Sequence, residues 1–202
     1  MFRKKALASL LGISISTIVL LPSVTHAAEY NGDNAFFKNQ GFSKTKIAAM
    51  PWYNDSSVAG LGYETILSNA RAKWDAAAAA NIGYSKASSM SNASLRFYAT
   101  NDANLEYYGV VKPYDSSGKL VTGSQVDNPS VSYYSANLIM ANRNIQTLSS
   151  SNEVLDVAVH ELGHTLNLRH QPDEANSVMA ATRVTKYGGP TSLDYANVDY
   201  KY

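Results

Sequence analysis

Residues 160–170 read HELGHTLNLRH. His160 and His164 stand four apart, so on a helix both imidazoles project from one face, a turn apart. Two neutral ring nitrogens can then meet one zinc ion at about 2.0–2.1 Å each. Glu161 follows the first histidine, and its carboxylate can reach a water beside the ion rather than the ion itself. That is the general-base position of an H-E-x-x-H metal-dependent hydrolase. His170 lies six residues beyond His164, where a continued helix would carry it away from the site. The chain must therefore turn sharply, and Asn167 sits at that turn. Asparagine is the commonest non-glycine residue in the left-handed conformation. Three histidines and a water make an open catalytic zinc site rather than a closed structural one. An H-E-x-x-H arises by chance in roughly one in 10² chains of this size, and a third histidine at fixed spacing lowers that to about 10⁻⁴.

These residues need a helix under them. Ser150 followed by Glu153 forms a capping box that opens one, and Val154, Leu155, Ala158, Leu162 and Leu166 make its apolar face. A second long helix is expected over Tyr63–Ala80, where Ile66, Leu67, Ala70, Trp74 and Ala77 form one stripe and the alanine run 76–80 favours helix. Lys44–Tyr53 reads as a first strand, with Pro51 required at its end or on an edge. Asn54–Gly62 reads as a loop. Ser94–Thr100 alternates as a strand, Tyr107–Val111 is a short one, Pro113–Asn128 is loop, and Val131–Ile145 holds one or two strand segments. Pro190–Tyr202 reads as a C-terminal helix capped by Thr191 or Ser192, with Leu193, Ala196 and Tyr200 turned inward. Helix, strands and helix in this order predict an α+β fold, a mixed sheet with helices packed on it.

The chain has 202 residues, 45% hydrophobic and 16% charged, enough for one packed domain. It has no cysteine, which excludes a disulfide scaffold, a thiolate metal site, a cysteine nucleophile and a thiol latch. Arg3, Lys4 and Lys5 precede an uncharged run, Ala6–Leu21, and Thr25 and Ala27 place small residues at −3 and −1 of a cut after Ala27. That is the order of a secretory signal peptide, and the run is short for a bilayer span of roughly 20 residues. Residues 1–27 are thus expected to be removed, and His26 goes with them. Every histidine that remains lies in the motif, and 14 basic residues then face 16 acidic ones. That balance argues against nucleic-acid binding. Residues 28–42 read as a polar lead-in or short pro-segment, and 43–202 as the catalytic domain.

The long motif resembles the zinc signature of the metzincin endopeptidases, H-E-x-x-H-x-x-G-x-x-H, with Asn167 in place of the usual glycine. Ser177-Val178-Met179 resembles the metzincin Met-turn, which implies a role for Met179 beneath the metal. Among metzincins the chain looks most like the matrixin group. It implies a metzincin-like domain with a mixed twisted sheet, two long helices, one of them carrying H-E-x-x-H, and a C-terminal helix. It also implies one catalytic Zn²⁺ on His160, His164 and His170, with Glu161 as general base, in a secreted or cell-wall-associated peptidase. Such enzymes hold substrate as an extended strand along a sheet edge, for which Ser135–Arg143 is the candidate here. Ala180 stands where a tyrosine often follows the methionine, and there are no spare histidines for a second zinc.

Other readings stay open. Asp102, Asn104 and Glu106, or Asp115 with Asp127, offer oxygen ligands for Ca²⁺, although no full EF-hand spacing is present. Asp33 could cover the metal of a latent precursor. The same hydrolytic chemistry would serve a zinc amidase acting on cell-wall peptides. A non-catalytic surface protein that keeps the metal site is a third reading, and Glu161 argues against it because binding zinc does not require that carboxylate. The expected partner is a protein or peptide substrate, with no nucleic acid, no stable membrane association once the signal is removed, and a monomer favoured.

Overall fold

The computed structural model describes residues 29–202, so the expected signal segment 1–27 lies outside the described residues. Five strands form one sheet in the order β2-β1-β3-β5-β4. They are β1 (Met50–Asn54), β2 (Tyr84–Lys86), β3 (Leu95–Thr100), β4 (Gly109–Tyr114) and β5 (Ser135–Ala141). All pairings are parallel except β4 with β5. The α+β expectation therefore holds at the level of a mostly parallel sheet with helices.

Two long helices build the core with the sheet. They are α3 (Glu64–Asp75) and α5 (Ser151–Thr165). Leu67, Ala70 and Trp74 from α3, Ala158 and Leu162 from α5 and Leu166 just after it are fully buried, together with Leu95, Phe97, Leu138 and Met140 of the sheet. The Trp74 indole N–H donates to the Val159 carbonyl at 2.9 Å, which ties the two helices together. Helix α5 starts as predicted: the Ser150 hydroxyl accepts from the Glu153 amide. The Glu153 carboxylate reaches back to the Ser149 amide and hydroxyl, one residue earlier than a capping box requires.

Several sequence expectations need correction. The Lys44–Tyr53 strand is two elements: a short helix α1 (Lys44–Ile47), capped by Ser43, precedes β1. Pro51 is the second residue of β1, which lies inside the sheet rather than at its edge. Its carbonyl accepts from the Ser94 amide, and the β1–β3 register begins only at Trp52 and Leu95. The missing N–H thus breaks no ladder bond. The loop after β1 contains a short helix α2 (Ser56–Gly60), with Asp55 as its cap. Helix α3 ends at Asp75, short of the expected Ala80; residues 76–80 are turn, bend and irregular chain, and Asn81 (φ 43°) leads toward β2. Alanine propensity alone does not carry the helix through that turn. Residues 142–145 form a short helix α4 (Asn142–Ile145).

The C-terminal helix α6 (Ser192–Lys201) is capped by Thr191 in a full capping box with Asp194. Its inner face is not the predicted one. Tyr200 is 60% exposed, while Asp194, Asn197 and Val198 are buried. Hydrogen bonds make this polar face tolerable: Asp194 accepts from the Ser177 hydroxyl and the Val178 amide, and Asn197 engages Gly32 and Tyr30. The lead-in is packed rather than loose. Ala35, Phe36 and Phe42 are buried, and Phe36 bridges to Leu168.

Candidate metal centre

Helix α5 presents His160 and His164 on one face, and a Schellman ending follows. The Leu168 amide donates to the Gly163 carbonyl at 3.1 Å and the Asn167 amide to the His164 carbonyl at 3.0 Å. Asn167 takes φ 66°, the left-handed turn expected of it. The chain then doubles back, and His170 meets the other two. Its Nε2 lies 3.2 Å from Nε2 of His160 and 3.2 Å from Nε2 of His164.

The tautomers follow from the second ring nitrogens. Nδ1 of His160 is 2.8 Å from the Val178 carbonyl, and Nδ1 of His164 is 2.8 Å from the Leu168 carbonyl. A carbonyl only accepts, so both Nδ1 atoms carry the proton and both Nε2 lone pairs are bare. Burial keeps all three imidazoles below their ordinary value, and His160 is pushed down to about 4. The rings are therefore neutral at pH 7, as metal ligands must be. A four-coordinate ion with nitrogens at about 2.0–2.1 Å sets neighbouring ligands about 3.3 Å apart, close to the spacing here. The three histidines form a group able to hold a metal ion.

Glu161 lies beside them at the wall of a cavity of about 590 Å³ that also takes in His160, His164 and His170. It is buried, and burial pushes its carboxyl up to about 8, opposed by the Val111 backbone. A cation on the histidines would draw it back down. Gly109 of β4 is the close neighbour: a Cβ there would come within 2.7 Å of the Glu161 side chain. Met179 is buried against the metal helix, its sulfur where a Cβ on Gly163 would lie 2.4 Å away.

Of the remaining candidates, Glu106 lines the same cavity, and the others are placed elsewhere. Ser135–Arg143 is not an edge: β5 lies between β3 and β4, and β4 is the outer strand beside the cavity. Single-sequence patterning does not reveal strand order, which long-range pairing decides. Asp33 accepts from the Tyr200 hydroxyl on the C-terminal helix and does not face the histidines. Asp102 and Asp115 spend their carboxylates on their own turns, and Asp127 accepts from the Lys38 amide. Among the described residues the histidine group is the one cluster of three or more such ligands.

Three features were missed. Phe37 lines the cavity, with its ring 6.0 Å from that of His164. The Asn167 side-chain amide donates to the Phe37 and Asn39 carbonyls, at 3.0 Å each, and so clamps the lead-in to the third-ligand turn. Asp156 lines the cavity from α5, and its place four residues before His160 was the signal available.

No protein-family model matches the chain, and no curated protein matches it by sequence. Its fold is similar to that of a solved chain described as the GM1 bound form of the ECX AB5 holotoxin. The TM-score is 0.52 and the identity 14%, over 86% of this chain and 86% of that one. At that identity the likeness is one of fold.

Proposed function

We propose that the chain is a secreted, zinc-dependent endopeptidase of the metzincin, matrixin-like type, with Glu161 as general base. One observation carries the reading. Three imidazole Nε2 atoms converge, and a buried carboxylate on the adjoining residue lines the same cavity. Zinc bound there supplies Lewis-acid activation of a water and polarisation of the scissile carbonyl.

The chain's own residues do the rest. The Val178 and Leu168 carbonyls hold the His160 and His164 rings in the required tautomer and orientation. The Glu161 carboxylate takes the proton of the attacking water and delivers it to the leaving nitrogen. Strand β4, the outer strand beside the cavity, offers an extended peptide its backbone groups in place of the predicted Ser135–Arg143 segment. The cavity beyond the histidines is lined largely by apolar groups, including Val111, Val121, Tyr133 and Val157, and suits a bulky apolar side chain. Met179 packs against Gly163 of the helix that carries His160 and His164, which supports the place beneath the metal that its resemblance implies.

The test is hydrolysis of an unfolded protein by the zinc-loaded chain beside Glu161→Gln at equal zinc content. The variant should lose about 10²–10⁴-fold in rate with zinc retained. Equal cleavage by both would exclude Glu161 as the base.

A further inference from the structure

We propose that Asp156 is a positioning residue that ties residues 184–189, of which Val184 and Thr185 line the cavity, to the helix of His160 and His164 and so sets which side chain after the scissile bond is accepted. The proposal rests on the hydrolytic reading above. Asp156 precedes His160 by one helical turn and therefore points along the same face of α5. It is 1% exposed. Its carboxylate has no cationic partner in hydrogen-bond contact and is satisfied by three donors from one distant segment. The Thr185 hydroxyl donates to Oδ2 at 2.6 Å, the Tyr187 amide to Oδ2 at 2.7 Å, and the Gly189 amide to Oδ1 at 2.8 Å.

The segment that supplies these donors has no helix or strand of its own. Its shape must come from such bonds. Gly188 and Gly189 take φ 73° and 149°, a path that L side chains rarely follow, and this path brings the Gly189 amide onto the carboxylate. Val184 and Thr185 form the cavity wall with Asp156 and Val157. The outer side is pinned separately: Lys186 pairs with Glu153 at 3.2 Å, and Arg183 donates to the Asp173 carbonyl at 2.7 Å. Lys186 and the Arg183 bond are exposed to water, although Glu153 is not, whereas the Asp156 carboxylate is itself buried and its bonds are charge-assisted. The wall therefore moves with the histidines. A side chain entering the cavity meets a fixed surface, and a fixed surface can select by size.

The test uses the zinc-loaded chain, its Asp156→Asn variant and its Thr185→Val variant. In Asp156→Asn an amide replaces one acceptor oxygen, so a donor faces the backbone amide of Gly189 or of Tyr187, whereas the Thr185 hydroxyl can turn to accept. The probe is unfolded β-casein, with cut sites read by mass spectrometry. Hydrogen exchange of the peptide covering 184–189 is measured in parallel. In Asp156→Asn, exchange at 184–189 should quicken about tenfold or more. The preference for large over small apolar residues after the cut should fall about tenfold, expressed mainly in KM, with zinc affinity within about threefold of the parent. Thr185→Val, which keeps the two amide bonds, should shift both readouts the same way by less and guards against misfolding of the first variant. Unchanged exchange at 184–189 would overturn the tether. A uniform loss of rate with cut-site preference intact would overturn the selectivity role. A parent that cuts nothing would overturn the hydrolytic reading itself, and exchange at 184–189 would still decide the tether.

Discussion

Replacing Asn167 by glycine separates two roles that one residue combines. Backbone conformation alone favours glycine there, because a non-glycine residue at φ 66° is strained by up to about 1 kcal/mol, less for asparagine than for most. If the turn were all that mattered, Asn167→Gly would be neutral or stabilising. The side chain, however, is fully buried and donates to two carbonyls of the lead-in, at 3.0 Å each. Each bond contributes about 1 kcal/mol, and its loss leaves a carbonyl short of a partner. The unpartnered Oδ1 offsets a little of that. The expected net effect is a loss of about 1–2 kcal/mol, or about 3–6 °C in Tm for a domain of this size. Because the clamp holds the turn that delivers His170, zinc affinity should fall as well, and the lead-in should become the first site of limited proteolysis. Asn167→Ala should lose more, since it adds the left-handed strain. Thermal melts of the zinc-loaded and chelated forms, with zinc competition titrations, measure each part. A Tm that rises in Asn167→Gly, with zinc affinity unchanged, would refute the clamp and leave the turn as the whole function of residue 167.

Three further outcomes are expected. In Gly109→Ala the new methyl would lie 2.7 Å from the Glu161 side chain, so peptide hydrolysis should fall more than about tenfold with zinc content intact; full activity would show that Glu161 can yield without cost. In Gly163→Ala the methyl would lie 2.4 Å from the Met179 sulfur and 3.3 Å from Trp74, and overpacking of about 1–3 kcal/mol should outweigh the helix-propensity gain, lowering Tm; a higher Tm would place slack under the metal helix. Lys201 is half-buried against Phe36 and Tyr202, and burial pushes its ammonium down to about 8, with Asp33 opposing. Between about pH 8 and its unfolded value of about 10.4 the unfolded chain binds the extra proton, so stability rises with pH through that window. Lys201→Met should therefore be more stable than the parent at pH 7, with the difference closing toward pH 10; a difference that does not vary with pH would refute the burial cost.

What the amino-acid sequence determined by itself is local. The cap at Ser150, the apolar face of α5, the shared face of His160 and His164, and the left-handed Asn167 all follow from interactions within a few residues. Helical periodicity and backbone sterics make such features legible without a partner. Tertiary structure decided everything that depends on who lies next to whom. It made β4 rather than β5 the outer strand, since strand order is set by pairings between distant segments. It ended α3 at Asp75 in spite of the alanines that follow. It turned Asp194 and Asn197 inward on α6, where partners from residues 30–32 and 177–178 make burial of polar groups tolerable. It packed the lead-in onto Asn167 and set Asp156 against residues 185–189, contacts that span more than 25 positions and leave no periodic trace in the chain. Short-range rules specify which atoms can bind a metal; long-range packing specifies the cavity in which they act.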